Sequence, residues 1–108
     1  MADKTVTITL TDNSDPNGAN NFNYAPGYLQ VHRGDRVRFT CNQAFTINFV
    51  NGSPFEDTSA VSQDSASTSE YSTISSGAKR KSYHYTVSAI NSDGIIQVDG
   101  TCPTLVVT

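Results

Sequence analysis

Two histidines and two cysteines are the residues of this sequence best suited to bind a soft metal ion, because imidazole and thiolate are its usual protein ligands. His32 and His84 fall on the polar side of alternating segments, with no acidic pair beside either, so both are expected at the surface. A cysteine pair without an ordered histidine partner is not a zinc signature. The sequence predicts no metal site.

The cysteines leave two alternatives open. Cys41 ends one predicted strand and Cys102 precedes the last one, so the two could form a disulfide in an oxidising compartment. Two separate small core residues are an equally good interpretation. Two cysteines are in any case too few to serve as a disulfide framework.

The sequence offers no recognisable catalytic apparatus. Serine is abundant, but no Gly-x-Ser-x-Gly elbow occurs, and neither a phosphate-binding glycine loop nor a dinucleotide fingerprint is present. Glu56 and Glu70, which are the two glutamates, fall in a polar region without clear periodicity. We therefore expect no catalytic residue, no cofactor and no enzymatic activity. A small hydrolase or metal protein assembled from distant residues is the less favoured alternative.

Two groups of residues are candidates for binding. The basic triplet is predicted at a turn, where it could attract anionic partners or simply keep a sheet edge solvated, and Arg36 and Arg38 could extend it. The aromatic group flanks an Asn-rich segment and could form a ligand platform or plug one end of the fold. The candidates are Lys79, Arg80 and Lys81, together with Phe22, Tyr24 and Tyr28.

The elements that position these residues are predicted to be β-strands. The chain has 108 residues, and apolar and polar residues alternate along much of it, as at Val6, Ile8 and Leu10 and again at Val37 and Phe39. Turn-forming clusters such as Arg33-Gly34-Asp35 and Asn91-Ser92-Asp93-Gly94 separate the alternating segments. This pattern predicts one all-β domain over residues 1–108, a sandwich of seven or eight strands.

Residues 51–82 differ from the rest of the chain. This segment is rich in Ser, Thr, Asp and Gly and holds few large apolar residues, so a loop or irregular region is predicted there. A short strand or helical turn is expected around Glu70–Ile74.

Charge and hydropathy exclude two classes of protein. The net charge is -3, which argues against a nucleic-acid binder that neutralises phosphates. No apolar run approaches the roughly 18 residues that span a bilayer. As written, the N-terminus lacks a secretory signal, which predicts a soluble cytoplasmic protein; if Met1 replaces a signal peptide, the protein is secreted or periplasmic.

Two segments together resemble the cupredoxins, the plastocyanin- and azurin-type copper proteins. Tyr28–Phe39 is similar to that family's strand, Gly-Asp turn and Val-x-Phe strand, and Ser76–Tyr85 is similar to its later turn leading to Tyr-x-Tyr. The resemblance implies a Greek-key β-sandwich, with an immunoglobulin-like sandwich as the alternative. It also implies a copper site of two His, one Cys and usually a Met. Here Phe45 stands where the first His is expected and Val87 where the Cys is expected, so the resemblance implies a fold without copper.

These observations predict a non-enzymatic binding domain that recognises a protein partner through loops 12–28 and 51–81. The alternative is a structural subunit that self-associates into an oligomer or filament by pairing sheet edges. That alternative relies on the Thr-rich strands Thr5–Leu10 and Thr104–Thr108, which have few charges to prevent edge pairing. A small-molecule ligand is not identified by the sequence.

Overall fold

The computed structural model describes residues 2–10, 22–50, 52–90, 94, 96–99 and 103–108, and none of these lies in a helix. Within these ranges, eleven strands form where β-branched and aromatic residues alternate with polar ones, or where short Ser/Thr segments pair with an existing edge. The strands are β1 (Asp3–Leu10), β2 (Phe22–Ala25), β3 (Tyr28–Val31), β4 (Arg36–Cys41), β5 (Phe45–Phe49), β6 (Val61–Gln63), β7 (Ser67–Thr68), β8 (Ser72–Thr73), β9 (Ser82–Ile90), β10 (Ile96–Asp99) and β11 (Thr104–Val107).

The strands form two mixed sheets. The first sheet has the order β2-β1-β4-β7, and β8 pairs with β4 beside β7. The second has the order β3-β11-β9-β5-β6, and β10 pairs with the C-terminal half of β9. Two pairings are parallel, β1 with β4 and β3 with β11, and the other pairings between these strands are antiparallel. The all-β sandwich predicted by the alternation is therefore confirmed.

The hydrophobic core lies between the sheets and is built from the inward-facing residues of each long strand. Tyr85 is at the centre of an aromatic cluster, with ring centroids 5.6 Å from Phe39 and 5.4 Å from Phe49. Such edge-to-face and tilted contacts stabilise the fold beyond the burial of area alone. The buried side chains of the core are Val6, Ile8, Leu10, Val31, Val37, Phe39, Cys41, Phe45, Ile47, Phe55, Ile74, Ala78, Tyr83, Tyr85, Val87, Ala89, Leu105 and Val107.

The region over residues 51–82 is more regular than predicted. It contains β6, β7 and β8, which is one reason why the strands outnumber the seven or eight expected, and β8 is the short strand anticipated near Ile74. Phe55 and Ile74 form an isolated bridge and are both buried in the core. The Ser69 hydroxyl accepts a hydrogen bond from the Phe39 amide at 2.9 Å, and the Ser69 amide donates to the Phe39 carbonyl at 2.7 Å. Two apolar anchors and one serine therefore attach this polar segment to the sandwich.

The expectation that Thr5–Leu10 and Thr104–Thr108 are open edges is wrong. Strand β1 pairs with β2 on one side and β4 on the other, and β11 pairs with β3 and β9. Long-range parallel pairing, which the sequence alternation does not encode, places both strands inside their sheets.

The Arg33-Gly34-Asp35 turn forms as predicted. Gly34 has a φ of +85°, which glycine adopts without strain, and the Asp35 amide donates to the His32 carbonyl at 3.1 Å. The Asp35 carboxylate is buried and accepts hydrogen bonds from the amides of Ala2 and His32, both at 2.9 Å. The turn thereby fixes the start of β1 beside the start of β4.

The other predicted turn lies partly outside the described residues. Residues 91–93 are not described, whereas Gly94 has a φ of +79° and the flanking strands β9 and β10 pair antiparallel. Across the described part of the chain, no helix is long and apolar enough to cross a bilayer.

Candidate functional site

The basic triplet occupies a turn that is joined to a second, distant turn of the chain. Lys79, Arg80 and Lys81 are exposed, and they follow Ala78, which is buried in the core. Arg33 reaches this turn from 45 residues away, because its Nε donates a hydrogen bond of 2.7 Å to the Ala78 carbonyl. The fold therefore adds a fourth cation to the three that are adjacent in sequence. Arg33 and Lys79–Lys81 together are called the basic turn.

The backbone of this basic turn is held at several points while its charged groups remain exposed. The Tyr83 hydroxyl donates to the Lys79 carbonyl at 2.9 Å, and the Val107 amide donates to the Lys81 carbonyl at 3.0 Å. The Lys81 ammonium lies 5.1 Å from the centroid of the Tyr83 ring, within the range of a cation–π contact. A fixed backbone lowers the entropy lost when a ligand binds.

None of these four cations is neutralised by a carboxylate within the described part of the chain. The ion pair found there joins Arg36 to Asp3, with nitrogen–oxygen distances of 2.8 and 2.6 Å. This hydrogen-bonded contact lowers the pKa of Asp3. The charge of the basic turn is therefore available to a ligand.

Arg36 and Arg38, which the sequence suggested as an extension of the basic triplet, make contacts with other residues in the structure. Both lie on the outer face of the first sheet, where their guanidinium carbons sit 4.5 and 4.8 Å from the centroid of the Tyr71 ring. Arg38 also donates to the Thr5 hydroxyl at 3.0 Å. These arginines are already engaged by neighbours on their own sheet.

A cavity of about 460 Å³ opens beside the basic turn. Residues 52–58 form one wall and residues 75–83 the other, so the cavity combines Lys79 and Lys81 with the hydroxyls of Ser53, Thr58 and Ser75. Glu56 is the one carboxylate among the described residues of this lining. Cations and hydroxyl donors facing one opening are suited to an anionic, hydrogen-bond-accepting group.

A second opening, of about 510 Å³, lies along the Ser/Thr-rich segment and has the opposite character. Glu56, Asp57 and Glu70 line it together, which the sequence alone could not show. The pKa of Asp57 is lowered, chiefly because the Ser59 amide and hydroxyl stabilise its charged form. A carboxylic acid that donates protons near neutral pH needs a raised pKa instead, so Asp57 lacks the property expected of a general acid.

The aromatic candidates do not form one surface. Phe22 and Tyr24 stack on each other at 6.4 Å and pack against the core from β2, in the first sheet. Tyr28 is 60% exposed and lies on β3, in the second sheet. Phe22 and Tyr24 therefore act as core plugs, which was one of the two interpretations of their sequence position.

The positions of the copper ligands implied by the cupredoxin resemblance carry hydrocarbon side chains that are buried. Phe45 on β5 and Val87 on β9 both face the core, and neither has an atom that could bind copper. No cluster of three or more His, Cys, Asp or Glu side chains suited to a metal ion occurs among the residues that the structure describes. The residues present therefore do not fit a copper site.

The remaining candidates either do not line the cavity beside the basic turn or lie outside the described residues. Cys41 is a free, buried thiol in the structure, and its burial raises its pKa, whereas Cys102 lies outside the described residues. His32 and His84 are exposed, as expected, and their Nδ1 atoms lie 3.1 and 2.9 Å from the hydroxyls of Thr108 and Thr104.

Comparison with protein-family models finds no match, and comparison with curated proteins finds no significantly similar sequence. Sequence reasoning found the basic triplet but missed Arg33, because the Arg33–Ala78 contact joins two turns that carry no shared local signal.

Proposed function

We propose that this protein is a non-enzymatic binding domain whose basic turn, defined as Arg33 with Lys79–Lys81, docks a carboxylate-rich segment of a partner protein. The observation that carries the proposal is the cluster of four exposed cations without a carboxylate partner among the described residues. The cluster stands on a chain whose net charge is -3, so its attraction for anions is local and directional.

The cavity beside the basic turn supports a peptide-like ligand over a single small anion. Its walls supply hydroxyls and backbone as well as Lys79 and Lys81, and its volume of about 460 Å³ is in the range of small-ligand pockets. A short acidic segment could place one carboxylate in the cavity and others on Arg33 and Arg80. Each exposed ion pair contributes little alone, so several must act together to give useful affinity.

The scaffold we propose is a copper-free cupredoxin-like Greek-key sandwich. The segments that carry the resemblance form β3, the Gly34 turn and β4, and the turn that leads into β9. Phe45 pairs with Ala89 and Ile47 pairs with Val87, so Phe45 and Val87 are diagonal neighbours on one inward face. In such a diagonal pair, the residues are roughly 7–8 Å apart, so the two positions lie close to each other, as the proposed scaffold requires.

The experiment measures binding of a fluorescent hexaglutamate peptide to the full chain by anisotropy, with hexalysine as the counter-probe. We expect hexaglutamate to bind and hexalysine not to bind. Affinity should fall about tenfold between low salt and roughly 0.3 M salt, because exposed charges are screened over a Debye length of about 6 Å at that concentration.

The variant Arg80→Ala is expected to weaken hexaglutamate binding by about threefold, and Lys79→Ala with Arg80→Ala by about tenfold, as expected for exposed ion pairs. The matched control is Thr7→Glu, which changes the net charge by the same amount as Arg80→Ala but lies on β1, outside the basic turn. Equal weakening by Thr7→Glu and Arg80→Ala would mean that net charge, not this site, governs binding.

A further inference from the structure

The outer face of the second sheet concentrates the large hydrophobic side chains that are exposed in the described part of the chain. Along β9, residues at even positions from Ser82 to Ile90 point outward, and odd positions are buried. Residues opposite them on neighbouring strands share their face, since Ile96 pairs with Ile90 and Val98 pairs with Ser88. Ile96 is 65% exposed and Val98 is 50% exposed, although an alternating pattern would commonly direct such residues to a core.

The outward positions of this sheet, as far as the structure describes them, also hold no charged residue. The outward positions of β3, β5, β6, β9, β10 and β11 hold Tyr, Gln, Thr, Asn, Ser, His, Ile and Val, and no Asp, Glu, Lys or Arg. All five large hydrophobic side chains that are exposed among the described residues lie on these strands or, for Val50, directly after β5. The outer face of the first sheet, by contrast, carries the charges of Asp3, Arg36 and Arg38.

One row of residues crosses most of this face. Tyr28 pairs with Thr104, which pairs with His84, and the Val50 amide donates to the His84 carbonyl at 2.9 Å. The His84 Nδ1 lies 2.9 Å from the Thr104 hydroxyl, so the polar atoms within the row are directed at each other. Large hydrophobic side chains stand at both ends of the row, and both are exposed, Tyr28 to 60% and Val50 to 53%.

One border of the face carries a charged residue, as the rims of protein–protein interfaces commonly do. Asp64, just beyond the end of β6, borders a shallow cavity of about 270 Å³ that Ile90 and Ile96 also line. Charges at a rim stay hydrated when the centre of an interface is covered, whereas charges at the centre would lose their water. The distribution of charge therefore marks the centre of the sheet as a surface that can be covered.

The face is large enough for a weak, transient interface. The nine residues of β9 extend about 30 Å, but the other strands of the sheet have only three to five residues each. At about 3.3 Å per residue and about 4.8 Å per strand the face covers about 450 Å², which falls below the roughly 800 Å² per partner of a standard interface and lies at the low end of interface sizes, where transient associations are found. Flat sheets can pack face to face at about 10 Å, provided that neither brings a buried charge.

We propose that this face packs against the same face of a second copy of the chain, around a two-fold axis. A charge-free face is complementary to a surface of the same kind, and a two-fold interface requires a patch that complements itself. Outside the patch, two copies with a net charge of -3 each repel, so this uncharged region is where they can approach at least cost. The proposal is independent of the basic turn.

Sedimentation velocity of the full chain, from about 1 µM to about 1 mM, tests the proposal. We expect a reversible monomer–dimer equilibrium within this range. Ile96→Lys should weaken the dimer about a hundredfold or more, because each copy would bring an unpaired charge into the covered face. Thr7→Lys is the matched control, since it adds the same charge to the outer face of the first sheet and should leave the equilibrium unchanged.

Circular dichroism confirms that each variant is folded, and Val50→Lys provides a second substitution on the same face if Ile96→Lys is not. A wild-type chain that remains monomeric up to about 1 mM overturns the proposal. So does a dimer that tolerates both face variants, which would place the interface elsewhere. A monomer that instead sediments with phosphatidylcholine vesicles also overturns it and assigns the face to a lipid surface.

Discussion

Asp35→Asn should destabilise the protein more than any other exchange of a carboxylate for an amide among the described residues. The Asp35 side chain is 4% exposed, and its two oxygens accept separate hydrogen bonds from the amides of Ala2 and His32. An asparagine can retain one of these bonds, but its NH₂ group would then face the other backbone N–H, donor against donor.

The magnitude follows from the number and type of bonds lost. A hydrogen bond to a charged acceptor contributes about 1.5–3 kcal/mol, and a neutral one contributes about 1 kcal/mol. Losing one bond of Asp35 and weakening the other therefore costs about 2–4 kcal/mol. For a domain of this size that corresponds to a fall in Tm of roughly 10–20 °C.

The effect should depend on pH. Burial, which is the largest influence, would raise the pKa of Asp35, but the amide hydrogen bonds outweigh it and the pKa is lowered overall. The stabilisation is therefore fully present above the pKa of an unfolded aspartate, about 3.9, and is lost as the pH falls through the lower pKa of the folded state. The difference between wild type and Asp35→Asn should be largest at neutral pH and should shrink below about pH 4.

Urea denaturation at pH 7 and at pH 3, followed by circular dichroism, measures both effects. Asp57→Asn is the control, because Asp57 also accepts a backbone hydrogen bond, from Ser59 at 2.9 Å, but is exposed, so little change is expected. Equal losses of unfolding free energy in the two variants, or a loss in Asp35→Asn that is the same at both pH values, would refute the argument.

Three further substitutions test how the polar segment and the thiol are held. Ser69→Ala removes the hydroxyl that accepts a hydrogen bond from the buried Phe39 amide. The free energy of unfolding, measured by chemical denaturation, should fall by about 1–3 kcal/mol. Phe55→Ala removes a buried ring that contacts Phe39 and should cost about 3–5 kcal/mol in the same assay, whereas a loss below about 1 kcal/mol would show that residues 51–82 are not anchored there. In a Cys102→Ser variant, Cys41 should react with Ellman's reagent far more slowly than a solvent-exposed thiol, because burial raises the pKa of Cys41. Addition of urea should abolish this difference in rate.

The long strands were predictable because one face of each is buried. The alternation at Val6 and Ile8, and again at Tyr83 and Tyr85, matches the inward face in the structure. Alternation does not say which face is covered, however, and Ile96 shows the consequence: it continues the apolar pattern of the chain yet points to solvent. Strand partners are set by contacts far apart in sequence, so the placement of β1 and β11 inside their sheets could not be inferred locally.

The candidate site was predictable in part. Adjacent charges at Lys79, Arg80 and Lys81 are visible in any sequence, and the Ser/Thr-rich segment around them indicated a surface region. The contribution of Arg33 depends on one side chain-to-backbone bond across 45 residues, and the cavity depends on how Phe55 anchors the opposite wall. Neither has a local signature, because both arise from packing and not from propensity.

The parallel pairing of β3 with β11 has a kinetic consequence. Tyr28 and Thr104 are register partners although 76 positions separate them, and the β1–β4 pairing also joins strands about 33 positions apart. Closing such long loops removes chain entropy before any contact compensates for it, so we expect the meeting of remote segments to limit the folding rate. Folding should therefore take milliseconds to seconds, and a fragment that stops before β11 should leave β3 unpaired and prone to aggregate.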